Sequence, residues 1–201
     1  MKTVATLLSV AVMFSASPMT PSVALAEEEE GFVTGAIKVL EFDIAENGKR
    51  FVFDETPVHE DLNPPQPAYG NPFVTEGYIY PLNALNGSNG VKPDGSPEFP
   101  KKVIGKWTCR GWFIGDGVKT TTGPWVITTQ LYDLGDQHTL ISEGYEIADL
   151  NVEVLRGITG GTGPFMHARG QAAQTLLGFN VTGGVDVRFK IQVKGFNPFA
   201  E

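Results

Sequence analysis

Residues 158–170 read ITGGTGPFMHARG. Whether Gly160, Gly161 and Gly163 cradle a phosphate or turn a hairpin decides how the whole chain folds. A Walker loop needs a Gly-Lys-Ser/Thr triplet at a fixed distance from its first glycine, and none follows here. A G-x-G-x-x-G fingerprint can start at Gly161 and Gly163, but Met166 occupies its third glycine position. The downstream stretch has no helical pattern to offer a phosphate, since Gly170 interrupts it early and Thr175, Phe179 and Val181 follow. Upstream, NVEVLRGIT (151–159) alternates Val152 and Val154 with Asn151 and Glu153, which is the period of a strand. The glycines therefore read as a strand–turn–strand connection, where glycine is present for positive φ.

The same period recurs along the chain. In VDVRFKIQVK (185–194), Val185, Val187, Phe189, Ile191 and Val193 alternate with Asp186, Arg188, Lys190, Gln192 and Lys194, the pattern of a half-buried antiparallel strand. Further strand candidates are GAIKVLEFDI (35–44), RFVF (50–53), TEGYIY (75–80), KVIGKWTCRGWFI (102–114), PWVITTQLYDL (124–134), HTLISEGYE (138–146) and MHARGQAAQTLL (166–177). No segment sustains a helical period over ten or more residues. Eight or nine strands with hairpin-length gaps predict an all-β sandwich or closed barrel. Two connections are long and proline-rich: 54–72 holds Pro57, Pro64, Pro65, Pro67 and Pro72, and 81–100 holds Pro81, Pro93, Pro97 and Pro100. Loops of this length inside a compact domain are often functional lids. A closed barrel with loops at one mouth makes a natural pocket for a small molecule.

The N-terminus has a different character. Lys2, the apolar run ATLLSVAVMF and Ala24-Leu25-Ala26 form the pattern of a secretory signal peptide over residues 1–26, with cleavage expected after Ala26. The apolar run is too short to span a bilayer, so no membrane span is expected. Residues 27–201 then form a single domain, starting with the Glu27–Glu30 run, which reads as a solvated start. The formal charge of the 201-residue chain is −8 and no basic block is present. That balance argues against nucleic acid and anionic membrane as partners, and for a neutral or apolar one. Cys109 is the single cysteine, so an exported form has no internal disulfide framework. Its neighbours Trp107 and Phe113 mark it as a small buried residue.

ITGGTGPFMHARG closely resembles the GGTG-x-F-x-x-ARG segment of dirigent proteins, with a VTGGSG-like counterpart in allene oxide cyclases. LEFDI (40–44) resembles the HDI of the former and the YEIN of the latter. The resemblance covers these two segments and implies a single eight-stranded antiparallel barrel with an apolar central pocket, a homotrimer, and no cofactor or metal. Asp43 falls on the acid of HDI, Glu41 on the Glu of YEIN, and Arg169 on the arginine of ARG. The resemblance thus implies Asp43 as acid/base, Glu41 tuning it, and Arg169 as electrostatic partner. Phe42 replaces the histidine of HDI, and no tyrosine pair can be placed.

The residues themselves bear on these positions. Ile37, Val39, Glu41 and Asp43 share one strand face, which puts the two carboxylates roughly 7 Å apart. If that face is the barrel interior, at least one carboxyl is driven towards its neutral form. If it is the outer face, the acids and Arg169 form a solvated polar surface or weak pairs. His59 and His138 sit in acidic loop sequence without metal-site spacing. Trp107, Trp112 and Trp125 read as core or pocket wall, suited to a flat or unsaturated ligand. Two functions remain open. One is an exported barrel, periplasmic or extracellular, that binds an apolar, unsaturated small molecule and steers its cofactor-free cyclisation or coupling, as an isomerase/cyclase or dirigent-like protein. The other is a noncatalytic small-molecule-binding or structural barrel.

Overall fold

The computed structural model describes residues 37–197; the signal-peptide pattern of residues 1–26 and its cleavage point lie outside them. Eight strands carry the described chain: β1 (Lys38–Glu46), β2 (Pro72–Pro81), β3 (Gly105–Phe113), β4 (Pro124–Asp133), β5 (Thr139–Ile147), β6 (Glu153–Gly161), β7 (Arg169–Phe179) and β8 (Val185–Lys194). From β2 to β8 each strand pairs antiparallel with the next. β1 pairs with both β8 and β2 and closes the ring. The result is a closed eight-stranded antiparallel barrel, in which no barrel strand is left as a free edge. The candidate RFVF adds only Val52–Phe53, paired with Val74 and Phe73 at the start of β2.

The period of two sorts residues between interior and exterior. Val185, Val187, Phe189, Ile191 and Val193 of β8 are all buried in the core, whereas Lys190 and Lys194 on the alternate face are exposed. Burying each such branched or aromatic side chain stabilises the fold by roughly 1.5–3 kcal/mol. One half of the barrel is filled: Phe42, Tyr132 and Phe189 meet with ring centroids 5.2–5.7 Å apart, and Ile44, Ile79, Leu140 and Ile158 pack with them. A second apolar cluster lies outside the wall, where Leu85 and Val91 of the second proline-rich connection cover Ala45 and Tyr80. That connection is a strap on the barrel's flank. The first one instead reaches over an end of the barrel, carrying the small hairpin Val58–His59 with Gln66–Pro67.

The glycine-rich stretch is a hairpin connection. β6 runs through Gly161, a 3-10 turn spans Gly163–Phe165, and β7 starts at Arg169 and pairs back, with Gly170 opposite Ile158. Gly163 has φ +58°, and a Cβ on Gly161 would lie 2.3 Å from the Thr139 carbonyl oxygen. Turn geometry and close backbone approach thus account for both glycines. Among the described residues no helix is long and apolar enough to cross a membrane.

Candidate ligand site at the open end of the barrel

The unfilled end is the one where β1 finishes at Glu46 and β8 begins at Val185. Phe51, Phe53, Phe113, Trp125, Phe179 and Val185 surround a cavity of about 360 Å³ there, with Gln66 and Pro67 of the first proline-rich connection at its edge. Its aromatic walls are in mutual contact: Phe51 stacks on Phe73 at 5.3 Å, and Trp125 meets Phe113 edge-on at 6.5 Å. Beneath it lies an inner space of about 50 Å³ bounded by Thr75, Trp107, Cys109, Glu146 and, common to both, Glu46. The volumes and apolar lining are those of a small-molecule site with a few polar groups at its base.

Glu46 reaches this position because β1 continues two residues beyond Ile44 on the inward face, after Leu40, Phe42 and Ile44. It is 5 % exposed, and its Oε2 accepts the Val185 backbone N–H at 2.7 Å. Burial raises its pKa to about 7, and the nearby Glu146 pushes in the same direction. Thr75 opposes that rise, but its hydroxyl makes no hydrogen bond of regular geometry. The buried indole nitrogens of Trp107 and Trp125 likewise have no partner. The two indole N–H groups and the Thr75 hydroxyl therefore stand around a carboxyl whose pKa burial has raised to about 7.

Glu146 is held very differently. Its oxygens accept from Thr128 Oγ1 at 2.7 Å, Gln130 Nε2 at 2.8 Å, Gln174 Nε2 at 2.7 Å and Cys109 Sγ at 3.5 Å. Arg156 Nη1 stands 3.9 Å away, and the same guanidinium donates to the Thr128, Gly144 and Tyr145 carbonyls and to Ser142 Oγ. This network fixes a charge pair inside the barrel with its hydrogen-bonding capacity largely met. Burial drives the Cys109 thiol well above its ordinary pKa, so it is no ready nucleophile.

The three residues singled out in the sequence do not come together here. Glu41 and Asp43 share a face, as the strand period requires, but it is the outer one. Glu41 is exposed, 3.7 Å from Lys190 Nζ. Asp43 is fully buried beneath the flanking strap, where it takes both Arg188 Nε at 2.8 Å and Nη2 at 3.1 Å and accepts the Leu85 N–H at 3.1 Å. Arg169 begins β7, whose far end, Phe179, is at the aromatic mouth; its Nη1 donates to the Ala168 carbonyl. Of the tryptophans, Trp107 is core and Trp125 is pocket wall, but Trp112 points outward and is 56 % exposed, because it has the opposite parity to Trp107 and Phe113. Sequence reasoning passed over Glu46, Glu146 and Arg156. A signal existed for each, since Phe42–Ile44–Glu46, Leu140–Ser142–Glu146 and Val154–Arg156–Ile158 run on inward-facing parity. Among the described residues no group of His, Cys, Asp or Glu is arranged to hold a metal ion.

No family model matches the sequence, and no curated protein matches it. Solved structures do resemble the barrel. The pterocarpan synthase dirigent protein PsPTS1 superposes with a TM-score of 0.57 at 19 % identity, covering 81 % of this chain and 97 % of that one. The pterocarpan synthase dirigent protein GePTS1 gives 0.54 at 17 % identity, covering 90 % and 98 %. The chain therefore has the dirigent-like barrel fold.

Proposed function

We propose that the barrel binds a flat, unsaturated, largely apolar small molecule in its aromatic mouth and steers its cofactor-free cyclisation or coupling. The observation that carries this reading is Glu46: a buried carboxyl without a cation at the base of an aromatic cavity, its pKa raised to about 7, beside the unpartnered indole N–H groups of Trp107 and Trp125. The rings of Phe51, Phe113 and Trp125 would hold a planar ligand in one orientation, and such preorganisation is the main source of rate and selectivity in a reaction of this type. Glu46 would give its proton to a ligand oxygen and take a proton back from the same molecule, so that no net proton is consumed. Thr75 and Trp107 would donate to negative charge developing on that oxygen. The two proteins of like fold are, by name, synthases, which supports the class of activity and leaves the substrate open. The proposal takes the acid/base role away from Asp43, whose carboxylate is occupied by Arg188 and Leu85. It places the protein outside the cytoplasm on the strength of the pattern at residues 1–26, so the mature chain should begin at Glu27 by intact-mass measurement.

The test is a screen of planar unsaturated compounds by quenching of tryptophan fluorescence, followed by product analysis with Glu46→Gln. Bound ligand with product selectivity lost in the variant supports the reading. Ligand binding with no turnover by either protein leaves a carrier, and no quenching by any planar compound ends the small-molecule reading.

A further inference from the structure

The aromatic mouth is not the end of the apolar surface. Beyond Trp125 and Phe179 lies an open concavity of about 530 Å³, floored by Val118, Ala148, Leu150 and Val152 and bordered by Thr120, Thr121 and Asp149. It shares Val118, Trp125 and Phe179 with the cavity inside the mouth. The two aromatic rings meet edge to face, 6.4 Å between centroids, and form the ridge between the two spaces. The outer shelf is well anchored. Leu150 bridges to Leu176 of β7, the Asn151 N–H donates to the Leu176 carbonyl at 2.8 Å, and Asp149 accepts from Thr122 Oγ1 and the Gly123 N–H. Yet its apolar side chains are bare: Phe179 is 60 % exposed, Leu150 52 % and Val152 48 %. A contiguous apolar shelf at the rim of a cavity marks a surface that something covers.

We propose that this shelf is a second subsite of the same ligand site, taking an apolar tail of a molecule whose unsaturated head sits above Glu46. The inference rests on the proposed function and goes beyond it by fixing the ligand's shape as a flat polar-tipped head joined to an aliphatic or aryl extension. Continuity is the argument for this occupant. The shelf begins at the residues that end the cavity, and any group leaving the mouth on the Trp125–Phe179 side passes directly onto it. Size agrees: at about 360 Å³ the inner cavity is near the lower bound for small-molecule pockets, and the shelf supplies the remaining contact area.

The experiment uses para-substituted acetophenones with methyl, butyl and hexyl tails, and measures the affinity of the purified full chain by tryptophan quenching. The same titrations are made on Leu150→Asp and Val152→Asp, two exposed positions whose substitution leaves the core intact. In the unsubstituted protein, affinity should rise about two- to fourfold for each added methylene. Both variants should bind the methyl compound as the parent does and lose most of the gain with tail length. Equal affinity for all three tails, or a gain that survives both substitutions, overturns the subsite. A change in oligomeric mass on Leu150→Asp with the tail gain intact also overturns it, because the shelf is then a contact between copies. If the methyl compound and other planar heads fail to bind at all, the proposed function fails first and the subsite with it.

Discussion

Glu46 is a carboxylic acid that the fold has taken out of water without giving it a cation, and that arrangement has a cost with a definite pH dependence. Its pKa of about 7 in the folded protein exceeds the ordinary 4.5, so the unfolded chain releases this proton first as pH rises. Stability therefore falls between about pH 4.5 and pH 7 and stays lower above, by about 3 kcal/mol for this group. Asp186, also raised to about 7 by burial, adds a change of the same sign. Glu46→Gln should therefore raise Tm by several degrees at pH 8 and change it little at pH 4.5, measured by thermal unfolding at both values. An equal shift at the two would show that the acid is not held protonated by the fold. Activity that depends on the protonated form should decline as pH passes about 7. Asp43 calls for the opposite experiment. Asp43→Asn weakens a two-pronged ion pair with the partly exposed Arg188, and should destabilise by about 2–3 kcal/mol in denaturant titration. Any product selectivity should be unchanged; a selectivity loss at full stability would return Asp43 to the chemistry.

Among the connecting elements, the stretch 54–71 borders the mouth through Gln66 and Pro67. Pro67 is buried beside the aromatic mouth, the Gly70 N–H donates to the Phe113 carbonyl at 2.8 Å, and one side chain holds much of the stretch: Asn71, fully buried, accepts the Asp54 N–H and donates to the Asp54 and Pro57 carbonyls. On the far side Lys119 Nζ pairs with Asp61 and the His59 ring meets the Asp116 carbonyl at 2.9 Å, both in exposed positions where such links add little. Asn71→Ala removes three hydrogen bonds and should cost about 2–3 kcal/mol. The loss should be local. Limited proteolysis should cut within 55–67 well before the barrel opens, and ligand affinity should fall with it. Cleavage spread over the whole chain would instead make Asn71 part of the global core. The second proline-rich connection is stapled at Leu85, Val91 and the Tyr80 hydroxyl, and should resist the same protease.

For the whole molecule, the outer wall raises the question of assembly. Trp112 lies opposite Ile127 on the neighbouring strand, and Ile127 opposite Tyr145 on the next. These three are 56, 42 and 51 % exposed, an apolar row across three strands that a monomer leaves in water. If the chain forms the homotrimer that the sequence resemblance implies, this row is the surface on which its copies would meet. Sedimentation should give three chains for the parent protein and one for Trp112→Lys, with the barrel's thermal transition retained. A monomeric parent protein would retire the trimer and leave the row unexplained.

Sequence alone determined the class of fold. Alternation of apolar and polar residues is a local property that fixes which residues share a face, and the β8 segment and the 158–170 hairpin could be read without knowing their neighbours. It also placed Glu41 and Asp43 on one face correctly. Which side of the wall that face would occupy is settled only when the barrel closes and Leu40, Phe42, Ile44 and Glu46 are the side chains that meet Tyr132, Phe189 and Val185 inside it. A strand with Asp43 on one face and Glu46 on the other carries acids on both, so polarity could not choose between them. Asp43 lies beneath a strap built from residues 82–100 and faces a counter-charge 145 positions away at Arg188. Glu46 has no such cation beside it among the described residues and stands at the base of the cavity, which is what the proposed acid role rests on. Both outcomes depend on contacts between distant segments, and the electrostatic environment that sets a carboxyl's role exists only after those segments have met.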